Sequence, residues 1–227
     1  MKRITICALI PALNEELVIS DCIKNLQQQS VDQIILVDGG SVDDTVEIAL
    51  GLGVKVVKSA AGRGQQLDAG AKCVTADVVW MVHADCMPPN AAADSIRKAI
   101  VNDAQWGAFP INHRTQDCHS KLMKWCLRLA DKRSRIASHP YGDQAIFVRL
   151  DLLQQVGGVP QQVLMEDIEL CARLNQITAR VLLAHQISVS PRRFTARPLR
   201  TFAAWMTFPL LYRCKIPVKW LARLYAR

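Results

Sequence analysis

The sequence predicts an α/β fold, with a mostly parallel central sheet flanked by helices and a mixed C-terminal half. Three observations carry that expectation. Short apolar runs rich in β-branched residues recur through roughly the first 100 residues, the pattern of strands buried on both faces. Amphipathic segments alternate with them, which implies a doubly wound sheet. The runs also stop at Pro11, Asp38-Gly39-Gly40 and His83-Ala84-Asp85. Polar side chains thus collect at the strands' C-terminal ends, the rim where open α/β sheets bind ligands.

The elements follow in order. Ile4 to Ile10 reads as the first strand, stopped by Pro11. Asn14 is placed to cap a helix carrying Glu15 and Glu16 in its first turn, with Leu17, Ile23 and Leu26 on its apolar side. Gln33 to Val37 is the second strand, and its glycines permit a tight turn near a ligand. Asp44 and Glu47 have capping-box spacing ahead of a helix from Thr45 to Leu50. Val54 to Val57 is the third strand, and Gly62-Arg63-Gly64 leads into another helix. Val78 to Val82 is the organising strand, followed by a helix from about Asn90 to Val101. In the second half, Trp106 to Ile111 reads as a strand. His119 to Ala130 reads as a helix with Leu122, Trp125, Cys126 and Leu129 on one face. Ala145 to Val148 and Ala179 to Leu183 are strands, and Met165 to Leu174 is a helix.

The 227 residues suit one large domain, or one domain with an appendage, and half of them are apolar, enough for a sizeable core. The net charge of +8 is unevenly placed. From Arg192 to Arg227 there are nine Lys or Arg and no Asp or Glu, so the basic character belongs to the tail. The eight cysteines occur singly without a CxxC pair, which argues against a zinc site and fits reduced thiols in the cytosol. Met1-Lys2-Arg3 and the apolar run after it do not make a secretory signal, because Pro11 and Asn14-Glu15-Glu16 arrive too early. A GxGxxG after the first strand and a GxxxxGK[ST] motif are both missing, against dinucleotide and P-loop enzymes.

Several residues bear on chemistry. Asp85, at the end of a buried strand, is either a metal or substrate residue or a polar strand terminator. Arg63 beside a helix N-terminus is a phosphate site or a surface arginine. Glu166 and Asp167 open a helix, where acids are ordinary capping residues.

Together the motifs resemble family 2 glycosyltransferases of the GT-A fold over residues 4–195. The resemblance rests on Pro11-Ala-Leu-Asn-Glu15, Val37-Asp-Gly-Gly-Ser41 with Asp43-Asp44-Thr45, His83-Ala-Asp85 and Glu166-Asp167. GRGQQLDAGA, HADC, GDQAIFVR and GGVPQQVLMEDIEL resemble a small bacterial subgroup associated with radical-SAM neighbours and arsenosugar biosynthesis. The resemblance implies that Pro11, Leu13 and Glu15 line a nucleotide pocket and that Asp38 sits beside base and ribose. It implies that Asp85, the last carboxylate of a D-x-D motif, holds Mg²⁺ or Mn²⁺ on the donor diphosphate. Asp167 would be the catalytic base, supported by Glu166. Three departures stand out. His83 replaces the first Asp of D-x-D and is either a metal ligand or a core histidine. Gly39 replaces an Asp that relatives use toward the base. Ser190-Pro-Arg-Arg-Phe194 half resembles the Q-x-x-R-W motif of processive synthases, leaving Arg193 as a phosphate contact without polymerisation.

The expected activity is therefore inverting, metal-dependent transfer of one sugar from a nucleoside-diphosphate sugar to a small-molecule or lipid-linked acceptor. The rivals are a non-catalytic sugar- or lipid-binding relative and a sugar nucleotidyltransferase; the latter wants a glycine-rich loop where PALNEE stands. Residues 196–227 form a basic, aromatic-rich segment. It either lies on anionic lipid, as a peripheral membrane contact of a cytoplasmic protein, or packs on residues 1–195. Nucleic acid is not an expected partner, since the main domain is near neutral.

Overall fold

The computed structural model describes residues 3–115, 120–136, 139–190, 206–212 and 214–226. A seven-stranded sheet forms the centre of the molecule. Its strands are β1 (Ile6–Ala12), β2 (Gln33–Asp38), β3 (Lys55–Lys58), β4 (Val78–Met81), β6 (Trp106–Ala108), β8 (Phe147–Arg149) and β9 (Val181–Leu182), in the order β3-β2-β1-β4-β8-β6-β9. The four strands of the first half run parallel. β8 pairs antiparallel with β4 and β6, and β9 returns parallel to β6, which gives the mixed second half. All seven residues of β1 are buried, as its central place requires.

Helices cover both faces: α1 (Ile19–Gln27), α2 (Thr45–Gly51), α3 (Arg63–Ala71), α4 (Ala92–Val101), α5 (Lys121–Ile136), α6 (Leu150–Gln155) and α7 (Glu166–Ile177). Two apolar cores result, one on each side of the sheet. Ile6, Ala8 and Ile10 of β1 point into one with α1 and α4, and Cys7 and Leu9 into the other with α3 and α7. The period-2 alternation of a strand feeds both layers from one run. The fold class is thus as the sequence predicts.

Several local expectations are corrected. Asn14 does not cap α1, which starts only at Ile19. Asn14 has a φ of 54°, and its Oδ1 accepts the Val42 N–H, so it ties the loop after β1 to the loop after β2. Asp44 makes no capping bond to α2; Asp43 Oδ1 accepts the Thr45 N–H instead. Arg63 is the first residue of α3 and does not precede it. Trp106 to Ile111 is two strands, broken at Phe109-Pro110: β6 in the main sheet, and β7 (Ile111–His113) in a second sheet. That sheet, ordered β5-β10-β7 with β5 (Cys86–Met87) and β10 (Ile187–Val189), follows directly on β4 and so floors the rim at Asp85.

The face predicted for α5 holds only at Cys126. Leu122, Trp125 and Leu129 are exposed, and Cys126, Leu127, Ala130 and Ser134 are the residues turned inward. Two helical stripes compete in this segment, and the smaller side chains win because the helix lies close against β7. In the tail, α8 spans 206–212 and α9 spans Val218–Ala226. Phe208 and Leu221 are buried, and the Tyr212 hydroxyl donates to Glu169 Oε2 of α7 at 2.7 Å. The described part of the tail therefore packs at least partly on the domain. Among the described residues no helix is long and apolar enough to cross a membrane.

Candidate active site

The site is built from the rim of the parallel strands. β1 ends at Pro11-Ala12, β4 runs on to His83-Ala84-Asp85, and α3 opens at Gly62-Arg63. These three places, with Leu13, Glu15 and Gln66, line a cleft of about 260 Å³. Pro11, Leu13, Glu15, Arg63 and Asp85 thus stand together as the sequence predicts, and Leu13 is 43% exposed on the cleft's edge. Glu15 is fixed by its backbone: its N–H donates to Thr45 Oγ1 at 2.8 Å and its carbonyl accepts from Val18 and Ile19.

Asp38 is buried at the end of β2, and its two oxygens accept the N–H groups of Gly40 and Ser41 at 3.1 and 3.0 Å. Its carboxylate closes its own turn behind the cleft. Gln66, which sequence reasoning missed, holds the floor. Its Nε2 donates to the carbonyls of Ala12 and Val37, each at 2.8 Å, pinning the ends of β1 and β2 together. A Cβ on Gly39 would lie 3.0 Å from Gln66 Nε2. Glycine at 39 and glutamine at 66 therefore belong together: this side chain fills the space that an aspartate at 39 would take.

His83 and Asp85 are both buried. Ligand atoms of His83, Asp85 and Cys86 lie within 4.8 Å of one another. Burial, then the neighbouring Asp85 and Asp143 carboxylates, push the Cys86 thiol well above its usual range, so without a metal it is protonated and a weak donor. The effective donors are a carboxylate and an imidazole, a set that suits a hard or borderline divalent ion such as Mg²⁺ or Mn²⁺. The chemistry of the donor set therefore fits the metal that the D-x-D resemblance implies.

The second half brings the remaining acids. Gly142–Gln144 forms a 3-10 turn, and Asp167 sits in the first turn of α7. Asp167 Oδ2 accepts the Gly142 N–H and Oδ1 the Ile168 N–H, both at 2.8 Å. Among the described residues, it is two backbone donors that orient this carboxylate. Glu166 turns elsewhere. Its Oε1 meets Arg63 Nε at 2.7 Å, and it is only 2% exposed. Burial pushes its carboxyl up, against the pull of Arg63, and Asp167 adds to the rise. Asp143 was read only as part of a motif, yet burial raises its carboxyl to about 6. His113 draws it back down, while Asp167 and Asp85 push it further up. His113 Nδ1 in turn lies 2.7 Å from Asp131 Oδ1. No spacing signal links residues 113, 131 and 143; only the second sheet and α5 bring them together. Arg193 lies outside the described residues.

This geometry places a cation, a hard-metal donor pair and an oriented carboxylate around one strand rim, an arrangement suited to transfer chemistry on a phosphorylated substrate. Comparison with known proteins agrees. Residues 7–143 match the model of Glycosyl transferase family 2, and the chain belongs to that family. A glucosyl-3-phosphoglycerate synthase of Mycolicibacterium smegmatis is 33% identical over 98 residues, 38% of this chain and 32% of that one. An uncharacterized protein of Methanocaldococcus jannaschii is 41% identical over 70 residues, 30% of this chain and 29% of that one. The matched segments thus span about a third of these curated relatives. Among solved structures, glucosyl-3-phosphoglycerate synthase from Mycobacterium tuberculosis with Mn²⁺, uridine diphosphate and glucosyl-3-phosphoglycerate superposes with a TM-score of 0.62 at 21% identity. That match covers 94% of this chain and 81% of that one. TarS from S. aureus gives 0.65 at 15% identity, covering 88% and 64%. At such identities these two likenesses bear on the fold, which is that of GT-A glycosyltransferases.

Proposed function

We propose that this chain transfers a single sugar from a nucleoside-diphosphate sugar to an acceptor hydroxyl, with a divalent metal ion and with inversion at the anomeric carbon. The observation that carries the reading is the placement of Asp85, Arg63 and Asp167 around one rim, each held by a different part of the chain. The relatives that bind uridine diphosphate with Mn²⁺ or Mg²⁺ support the donor class.

The residues divide the work. Pro11, Leu13 and Glu15 would receive the nucleotide, with Asp38 shaping the adjoining turn. Arg63 would pair with the diphosphate through a charged fork. Asp85, with His83 beside it, would hold Mg²⁺ or Mn²⁺. When bound there, the ion supplies positive charge against the departing diphosphate. Asp167 takes the acceptor's hydroxyl proton as the acceptor oxygen bonds to the anomeric carbon and the bond to the diphosphate breaks on the opposite face. One displacement of this kind inverts the configuration.

The acceptor is a small molecule or a lipid-linked hydroxyl; the motifs shared with the arsenosugar-associated subgroup favour the small molecule. The protein is read as cytoplasmic. Met206, Leu210, Trp220 and Leu224 are exposed on a tail without acidic residues, which supports a peripheral contact with anionic lipid. Co-sedimentation with vesicles with and without phosphatidylglycerol tests that point.

The deciding experiment is a melting-temperature panel of UDP-, GDP- and dTDP-sugars, each with and without Mn²⁺, followed by transfer assays of Asp85→Asn and Asp167→Asn. Stabilisation by one donor that requires metal and Asp85, with turnover lost in both variants, is expected. Binding without turnover in the parent protein would instead favour a binding relative, a reading to which the His83 replacement in D-x-D lends weight.

A further inference from the structure

We infer that Glu166 is a positioning residue for the donor diphosphate, acting through Arg63, and that it takes no part in orienting the base Asp167. The inference rests on the glycosyltransferase reading above. Three observations carry it.

First, the side chain of Glu166 is committed. Its Oε1 and Arg63 Nε are 2.7 Å apart, and the carboxylate is 2% exposed while the guanidinium is 31% exposed. Contact through Nε takes the inner edge of the fork. Arg63 itself lines the cleft with Gly62, His83 and Asp85. A planar guanidinium held at Nε by a buried carboxylate is pre-oriented for phosphate oxygens. Glu166 Oε2 is sealed from solvent without a hydrogen-bond partner, so among the described residues the ion pair is the tie that Glu166 has.

Second, Asp167 is oriented independently. Both of its oxygens accept backbone N–H groups, from Gly142 and Ile168. A neighbouring carboxylate has nothing to add to that orientation.

Third, the pair spans a built joint. Gly64, next to Arg63, lies against the backbone ahead of α7: a Cβ there would sit 2.3 Å from the Pro160 carbonyl oxygen and 2.8 Å from that of Gln162. Met165 takes a φ of 63°, in the left-handed region that residues with a side chain rarely adopt, and so turns the chain into α7 at Glu166. This left-handed turn stands immediately before Glu166, which pairs with Arg63 of α3.

The experiment separates donor binding from turnover. Affinities for UDP and UMP in the presence of Mn²⁺, with kcat and KM for the donor, are measured for the parent protein, Glu166→Gln, Arg63→Lys, Arg63→Lys with Glu166→Gln, and Asp167→Asn. Glu166→Gln is expected to weaken UDP on the order of tenfold and UMP much less. It should raise the donor KM and retain most of kcat. Asp167→Asn should do the reverse, losing kcat with UDP affinity intact. The double variant should be little worse than Arg63→Lys alone, since one interaction is being removed twice. Should Glu166→Gln fail to fold, Glu166→Asp withdraws the carboxylate from Arg63 by one methylene, keeps its charge and is expected to give the same split. Loss of kcat at unchanged UDP affinity in either Glu166 variant overturns the inference and returns Glu166 to the base. A parent protein that binds none of UDP, GDP or dTDP overturns the glycosyltransferase reading together with it, which is a different and recognisable outcome.

Discussion

Gly142 donates its backbone N–H to Asp167 Oδ2 over 2.8 Å, and the same glycine leaves the space that His83 fills. A Cβ at this position would lie 2.6 Å from His83 Nε2 and 3.6 Å from Asp167 Oδ2. The backbone at one glycine thus sets the distance between the imidazole beside Asp85 and the carboxylate of α7. Gly142→Ala should displace one or the other by a fraction of an ångström. A misplacement of about 1 Å in a positioned group can cost ~100-fold in turnover, so part of that shift already lowers the rate severalfold. The expected result is a severalfold loss of kcat with a melting temperature close to that of the parent, measured by transfer assay and calorimetry.

Asp143 makes stability depend on pH in a stated direction. Burial raises its carboxyl from 3.8 to about 6, so the folded chain holds this proton more tightly than the unfolded one. Its contribution is therefore most favourable below the unfolded value and is lost as pH rises from about 4 through about 6. In EDTA, Asp143→Asn should raise the melting temperature at pH 7.5 and change it little at pH 4. Equal effects at both pH values would remove the buried charge as the cause.

Metal affinity should divide unequally between the two neighbouring donors. Mn²⁺ should stabilise the parent protein in a thermal melt, and EDTA should reverse the gain. Asp85→Ala should abolish the response. His83→Ala should weaken it on the order of tenfold if the imidazole ligates. Unaltered Mn²⁺ affinity in His83→Ala would leave the histidine only a packing role against Gly142.

Gln66→Leu tests the floor of the cleft apart from its chemistry. The substitution conserves bulk and leaves the Ala12 and Val37 carbonyls without their shared donor. The Ala12 carbonyl keeps the Gly39 N–H, so the cost is that of lost hydrogen bonds, about 0.5–1.5 kcal/mol each. Urea unfolding should show a lowered midpoint with an unchanged slope.

The fold was legible where burial was complete. The runs Ile34-Ile35-Leu36-Val37 and Val78-Val79-Trp80-Met81 announce strands because both faces of a central parallel strand are apolar. The second sheet was not, because its strands have two or three residues each, too few for any period to appear. Asn14 was misread because an asparagine ahead of two acids suits a helix cap and a left-handed turn equally well, and local composition does not distinguish them. In α5 two apolar stripes at helical spacing offered two faces, and only the neighbouring strand selects one. Gln66 reads from sequence as a solvated helix residue; its value lies in two carbonyls that come from other strands. Pro11, Leu13, Glu15, Arg63 and Asp85, read from separate motifs, come together in one cleft, but the Arg63–Glu166 pairing, across about a hundred positions of chain, has no local signature.

The placement of β4 has a practical consequence for handling this protein. Its one edge pairs with β1 and its other with β8, which begins at Phe147. The family match ends at residue 143, four positions before that partner. A fragment cut to the matched region would strip β8 away and leave Val78–Met81 with an open row of amide and carbonyl groups, flanked by uncovered apolar side chains. Bare edges of that kind recruit other chains. The segment that matches the family model is therefore shorter than the sheet it belongs to, and expression boundaries belong beyond β9 and α7.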